Sequence, residues 1–152
     1  MQTHTPLVPA TQLAPGEVVR ERFHADRGTY WRAHAWLAAV AIAIGMGVLW
    51  AMGNPHVWTG AVGGLAAVAV RGGYLASDEM KMRWDLTDRR LLGPGTRAVE
   101  LAQIARVASI AGAVQVVTRG GDKHLIKYQP DPGRVIAAIE AARAAMPPKD
   151  AP

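Results

Sequence analysis

The sequence predicts an α+β membrane protein: a transmembrane helical hairpin, then a small antiparallel β meander closed by one C-terminal amphipathic helix. Three observations predict it. Ala35 to Met52 and Val57 to Val70 carry no charged residue and are separated only by Gly53-Asn54-Pro55-His56 and its border. From Met80 the pattern becomes alternating, and after Asp131 it changes to a helical period. The hairpin spans 33–76, with helices over about 33–53 and 57–76, preceded by a mobile tail over 1–16 and a juxtamembrane segment over 17–32. The soluble domain occupies 77–146 and a short tail 147–152.

In the tail, Pro6, Pro9 and Pro15 interrupt a polar stretch without apolar period. It lacks the basic start of a cleavable signal peptide, and the apolar run begins too late, so the first helix serves as an uncleaved insertion signal. Glu17 to Phe23 reads either as a short strand that pairs with the downstream sheet or as a helical approach to the bilayer.

A hydrocarbon core of about 30 Å requires roughly 20 helical residues. The first apolar segment reaches that length with Ala33, His34 and Gly53. The second reaches it only past Arg71, which lies near its end, where a guanidinium can extend to the headgroups. Trp31 and Trp36 stand at the start of the first helix, Trp50 and Trp58 flank the turn, and Trp84 follows the second helix. Indole rings favour the membrane interface, so all five read as anchors. Ala39, Ala43, Gly47 and Ala51 recur every fourth residue, as do Gly60 and Gly64, and form the expected seam for close helix approach. Two apolar segments without a polar stripe disfavour buried helices of a soluble protein.

Arg20, Arg22, Arg27 and Arg32 precede the hairpin and Lys81, Arg83, Arg89 and Arg90 follow it, while the turn has neither Lys nor Arg. By the positive-inside rule both termini are cytoplasmic. The same rule and attraction to anionic headgroups account for the net charge of +5 without invoking nucleic acid, for which no aromatic platform or recognition helix is present. Arginine outnumbers lysine and Ala, Gly and Val abound, a composition of GC-rich bacterial genomes.

Met80, Met82, Trp84 and Leu86 alternate with Lys81, Arg83 and Asp85, the signature of a half-buried strand. Turns at Thr87-Asp88, Gly93-Pro94-Gly95, Ala111-Gly112 and Arg119-Gly120-Gly121-Asp122 divide the following strands, expected over 96–101, 106–110, 113–118 and 123–128. Asp131 caps the last helix, Pro132 suits its first turn, Val135, Ile139, Ala142 and Met146 share a face, and Pro147-Pro148 ends it.

The segment Trp84-Asp85-Leu86-Thr87-Asp88-Arg89-Arg90-Leu91-Leu92 resembles a stretch of the bacterial membrane proteins that carry a pleckstrin-homology-like (PH-like) domain. Val99-Glu100-Leu101-Ala102-Gln103-Ile104, Asp131-Pro132 and Pro15-Gly16-Glu17 are also similar to segments of that family. The resemblance covers about 15–146 and implies a membrane-anchored cytoplasmic interaction domain without a catalytic site. The meander falls short of a full PH-like strand set unless 18–23 supplies one.

No catalytic pattern stands out. The five histidines show no metal-ligand spacing, cysteine is absent, and Ser77 and Ser109 lie in no nucleophile motif. No cofactor is expected. Arg71, Lys81, Arg83, Arg89 and Arg90 are the candidate headgroup-binding set. His34 reads as interfacial and His124 as an exposed strand residue. The expected function is a non-enzymatic scaffold of the bacterial inner membrane that binds lipid headgroups and a membrane or cytoplasmic protein partner, a second copy included. The alternative is an accessory or assembly subunit of a larger membrane complex, such as a photosynthetic one, docking through its helices.

Overall fold

A computed structural model describes residues 6–146. The chain is α+β, with three helices and two antiparallel sheets, and it divides into two compact units. One comprises 27–79; the other combines the chain before and after it.

The helical unit contains α1 (Arg27–Ala51) and α2 (Trp58–Glu79), packed against each other. Helix α1 begins before the expected residue 33 and takes in Trp31 and Arg32; α2 continues through Ser77-Asp78-Glu79, expected as a linker. The turn stops α1 by a defined device. Gly53 has φ +68°, its N–H donates to Trp50 O, and Asn54 N–H donates to Leu49 O, closing the last turn with a left-handed residue. Asn54 Oδ1 then accepts from His56 N–H at 2.8 Å. Among the described residues only α1 is long and apolar enough to cross a membrane on length and composition. Five glycines, Arg71, Asp78 and Glu79 make α2 less apolar than α1.

In the second unit, β1 (Val19–His24), β2 (Arg83–Thr87), β3 (Arg90–Leu92) and β4 (Ala98–Glu100) form a sheet in that order. Strands β5 (Ile104–Ile110), β6 (Ala113–Thr118) and β7 (Lys123–Ile126) form the other. A 3-10 turn, Leu101–Gln103, joins them. The ambiguous segment before the hairpin is therefore a strand: Phe23 pairs with Trp84 and Arg22 with Asp85. The tail described from residue 6 onward is not loose as expected. Arg83 N–H donates to Leu7 O, and Ala10 N–H and Gly95 O join at 2.8 Å.

Helix α3 (Pro132–Ala144) starts where its cap predicts, Asp131 accepting from Arg134 N–H at 3.0 Å. Val135, Ile139 and Ala142 are buried with Phe23, Trp84, Leu86, Leu91 and Ile126, and Met146 packs against this core. The expected end of the helix at Pro147-Pro148, and the tail 147–152, lie outside the described residues.

Candidate functional site

Three of the four segments that carry the PH-like resemblance meet in space. Glu17 has a fully buried side chain, and its carboxylate accepts from Arg90 Nε at 3.0 Å, Thr87 Oγ1 at 2.7 Å and Ala14 N–H at 2.7 Å. The Thr87 hydroxyl in turn accepts from the N–H groups of Arg89 and Arg90, at 3.1 and 2.8 Å, and so shapes the β2–β3 turn. Leu101 N–H donates to Arg89 O at 3.0 Å, which brings in the third segment. Hydrogen bonding from Arg90 is the main cause holding the Glu17 carboxyl down at about 2; burial opposes it.

This geometry corrects the headgroup set. Arg90 is committed to Glu17, and Arg83 pairs with the buried Asp85 at 2.9 Å. Arg71, Lys81 and Arg89 are exposed, Arg89 only approaching Asp88 at 4.0 Å. Trp84 is also corrected: it is 4% exposed, lies against the Cα of Gly93 and meets His124 edge to face, so it is a core residue and His124 is half-buried. Its place in the alternating segment is the signal for this. Trp31, Trp36, Trp50 and Trp58, all in the helical unit, are exposed.

Within that unit, glycines set the helix approach. A Cβ on Gly45 would lie 2.6 Å from Gly60 O, and one on Gly64 would lie 2.8 Å from Ala41 O. Gly60 and Gly64 thus form the expected α2 seam. The α1 seam is not the expected one. Ala39, Ala43, Gly47 and Ala51 are exposed, and nothing lies within 4 Å of a Cβ built on Gly47. The contacting face holds Ala41 and Gly45, displaced by two residues and therefore by about 200° from Ala43 and Gly47. Near the other end, Tyr30 Oη donates to Gly72 O at 2.6 Å and the His34 ring sits over both Tyr30 and Gly72. His34 is buried in the helix contact.

The β-rich unit has an open groove of about 1250 Å³. Leu101, Ala102, Ala144 and Met146 give it apolar lining. Arg20 of β1, Arg89 of the β2–β3 turn, Arg119 at the end of β6 and Arg143 of α3 bring guanidinium groups to it. Arg143 binds both oxygens of Glu140 and donates to Ile104 O at 2.8 Å. Of these four only Arg89 belongs to the candidate set legible in the sequence, because the others come from elements whose convergence no local motif announces. Among the described residues no group of three or more His, Cys, Asp or Glu side chains is placed to hold a metal ion.

Comparison with protein-family models, curated proteins and solved structures finds no match to this chain.

Proposed function

We propose that this chain is a non-enzymatic, membrane-anchored interaction protein, with α1 and α2 as a two-pass hairpin in the bacterial inner membrane and both termini cytoplasmic. One observation carries the membrane reading: the helical unit is packed inside out. Glycine and alanine occupy the helix contact, whereas Leu37, Val40, Ile44, Val48, Val62, Leu65 and Val70 are exposed. Water penalises that arrangement, while a lipid interior accepts it, and close approach through small residues is the packing that membrane helices favour. The lower apolarity of α2 has the same origin, since Gly60, Gly64 and Gly72 each serve a close contact. At 22 residues α2 is roughly 33 Å long, sufficient for the bilayer core.

A PH-like cytoplasmic domain is supported by β1, which supplies the strand otherwise missing from the meander, and by α3 closing the core. Its groove, which Arg89 lines, is the surface offered to a partner, and exposed Lys81 remains available to anionic headgroups.

The absence of cysteine makes topology directly measurable. Asn54→Cys should react with a membrane-impermeant maleimide on spheroplasts, and Asp122→Cys only after permeabilisation. Recovery in the soluble fraction, or the reverse labelling pattern, would sink the reading.

The accessory-subunit alternative draws on the exposed Ala39, Ala43, Gly47 and Ala51 face. Gly60 and Gly64 serve the hairpin itself, so Ala43→Leu with Gly47→Leu is the discriminating change. Loss of a co-purified membrane complex would favour the subunit reading; its retention would favour a partner held by the soluble domain.

A further inference from the structure

We propose that the groove in the β-rich unit receives an extended acidic segment of a partner protein, with Arg20, Arg89 and Arg119 as its charge partners. This deepens the interaction-protein reading and rests on it. The three arginines come from β1, the β2–β3 turn and the end of β6, so the fold alone gathers them along one groove. Arg20 and Arg119 enter no ion pair within 4.0 Å among the described residues, and Arg89 reaches only the 4.0 Å approach to Asp88.

The carboxylates along the groove are more fully engaged. Glu140 is held through both oxygens by Arg143, and Asp88 Oδ1 accepts from Val18 N–H at 3.1 Å, which leaves Glu100 as the one groove carboxylate without an ion pair within 4.0 Å among the described residues. Against that single carboxylate stand Arg20, Arg89 and Arg119, beside apolar atoms of Ala102, Ala144 and Met146. Acidic residues interspersed with apolar ones complement that surface.

Size and shape select the source of the anion. An open groove of about 1250 Å³ exceeds the usual small-ligand range of about 300–1,000 Å³ and suits several residues of chain better than one headgroup. Glu100, on the groove, belongs to β4, the last strand of its sheet, whose outer edge has backbone groups suited to an added extended segment.

The test uses the full chain in phosphatidylcholine nanodiscs and a fluorescent synthetic peptide of alternating Glu and Leu. Binding should weaken with salt and fall by about tenfold in Arg20→Ala/Arg119→Ala, as expected for two exposed charge pairs. The Lys counterparts at both positions should retain most of it, and a Lys-Leu peptide should not bind. Equal affinity in the alanine variant, or equal binding of the Lys-Leu peptide, overturns the proposal. So does an absence of peptide binding when vesicles containing phosphatidylglycerol bind in an Arg20- and Arg119-dependent way, which assigns the groove to headgroups. Maleimide labelling of the same chain separates these failures from a failure of the membrane reading.

Discussion

Glu17 and Arg90, 73 residues apart in sequence, form a buried ion pair that ties the segment before the helical unit to the sheet after it. Thr87 completes the arrangement by donating to the same carboxylate. Residues on the two sides of a long insertion are thereby joined at their most polar point.

Removal of either partner should have unequal effects. Arg90→Ala leaves a fully buried carboxylate without its cation and should cost about 3–5 kcal/mol. Glu17→Gln leaves a guanidinium that is 17% exposed and able to reach water, and should cost less, about 1–3 kcal/mol. Urea unfolding of the full chain in mild detergent measures both; an Arg90→Ala variant as stable as the parent would refute the assignment.

The same pair gives a pH dependence with a definite sign. The Glu17 carboxyl titrates at about 2 in the fold against an ordinary 4.5, so the folded state holds fewer protons than the unfolded one between those values. Its stabilisation is present above about pH 4.5 and declines as pH falls toward 2. The melting temperature should drop through that window, and Glu17→Gln should flatten the drop. An unchanged profile in Glu17→Gln would place the acid sensitivity elsewhere.

In the helical unit the glycines divide into two groups that substitution can separate. A side chain on Gly45 or Gly64 meets backbone of the facing helix within 3 Å, whereas one on Gly47 meets nothing within 4 Å. Gly64→Leu should loosen the hairpin and expose it to protease in detergent, and Gly47→Leu should leave its protection unchanged. Equal protection of the two variants would contradict the packing.

Much of this organisation is legible in the sequence because it is local. The strand that buries Trp84 and Leu86, the Asp131-Pro132 cap and the face of Val135, Ile139 and Ala142 all follow from periods within a few residues. Strand β2 nevertheless starts only at Arg83 and buries Asp85 and Thr87 as well, so it is not the half-buried strand expected. The fourfold spacing of Ala39, Ala43, Gly47 and Ala51 is equally local, yet Ala41 and Gly45 have the same spacing. Periodicity finds stripes of small residues and does not choose between two of them; the facing helix does. Trp84 is ambiguous for a related reason, since membrane interfaces and strand cores both accept indole. Arg90 reads as a surface cation because its carboxylate partner lies across the whole hairpin. The groove arginines are hidden by the same separation in sequence.

Ala111 offers a gain of stability. It has φ +46° in the turn between β5 and β6 and is followed by Gly112 at φ +80°, a pair of left-handed residues in a two-residue hairpin. Asparagine tolerates that conformation better than alanine. Ala111→Asn should stabilise the domain by about 0.5–1 kcal/mol, read as a higher urea midpoint with an unchanged slope. A lower midpoint would show that the turn is not of this form.

Trp84 separates a core role from an interfacial one. Its ring covers Gly93 closely enough that a Cβ there would lie 2.5 Å from the indole, and it packs within the cluster that includes Phe23, Leu86 and Val99. Truncation to alanine should cost about 3–5 kcal/mol through lost burial and the cavity left behind. Gly93→Ala should destabilise as well, because the ring must shift out of a filled core. Trp36, 76% exposed on α1, provides the contrast. Trp36→Ala should leave the unfolding of the β-rich unit unchanged and instead alter quenching by brominated lipid. If Trp84→Ala alone changed lipid quenching and left stability intact, the residue would belong to the interface after all.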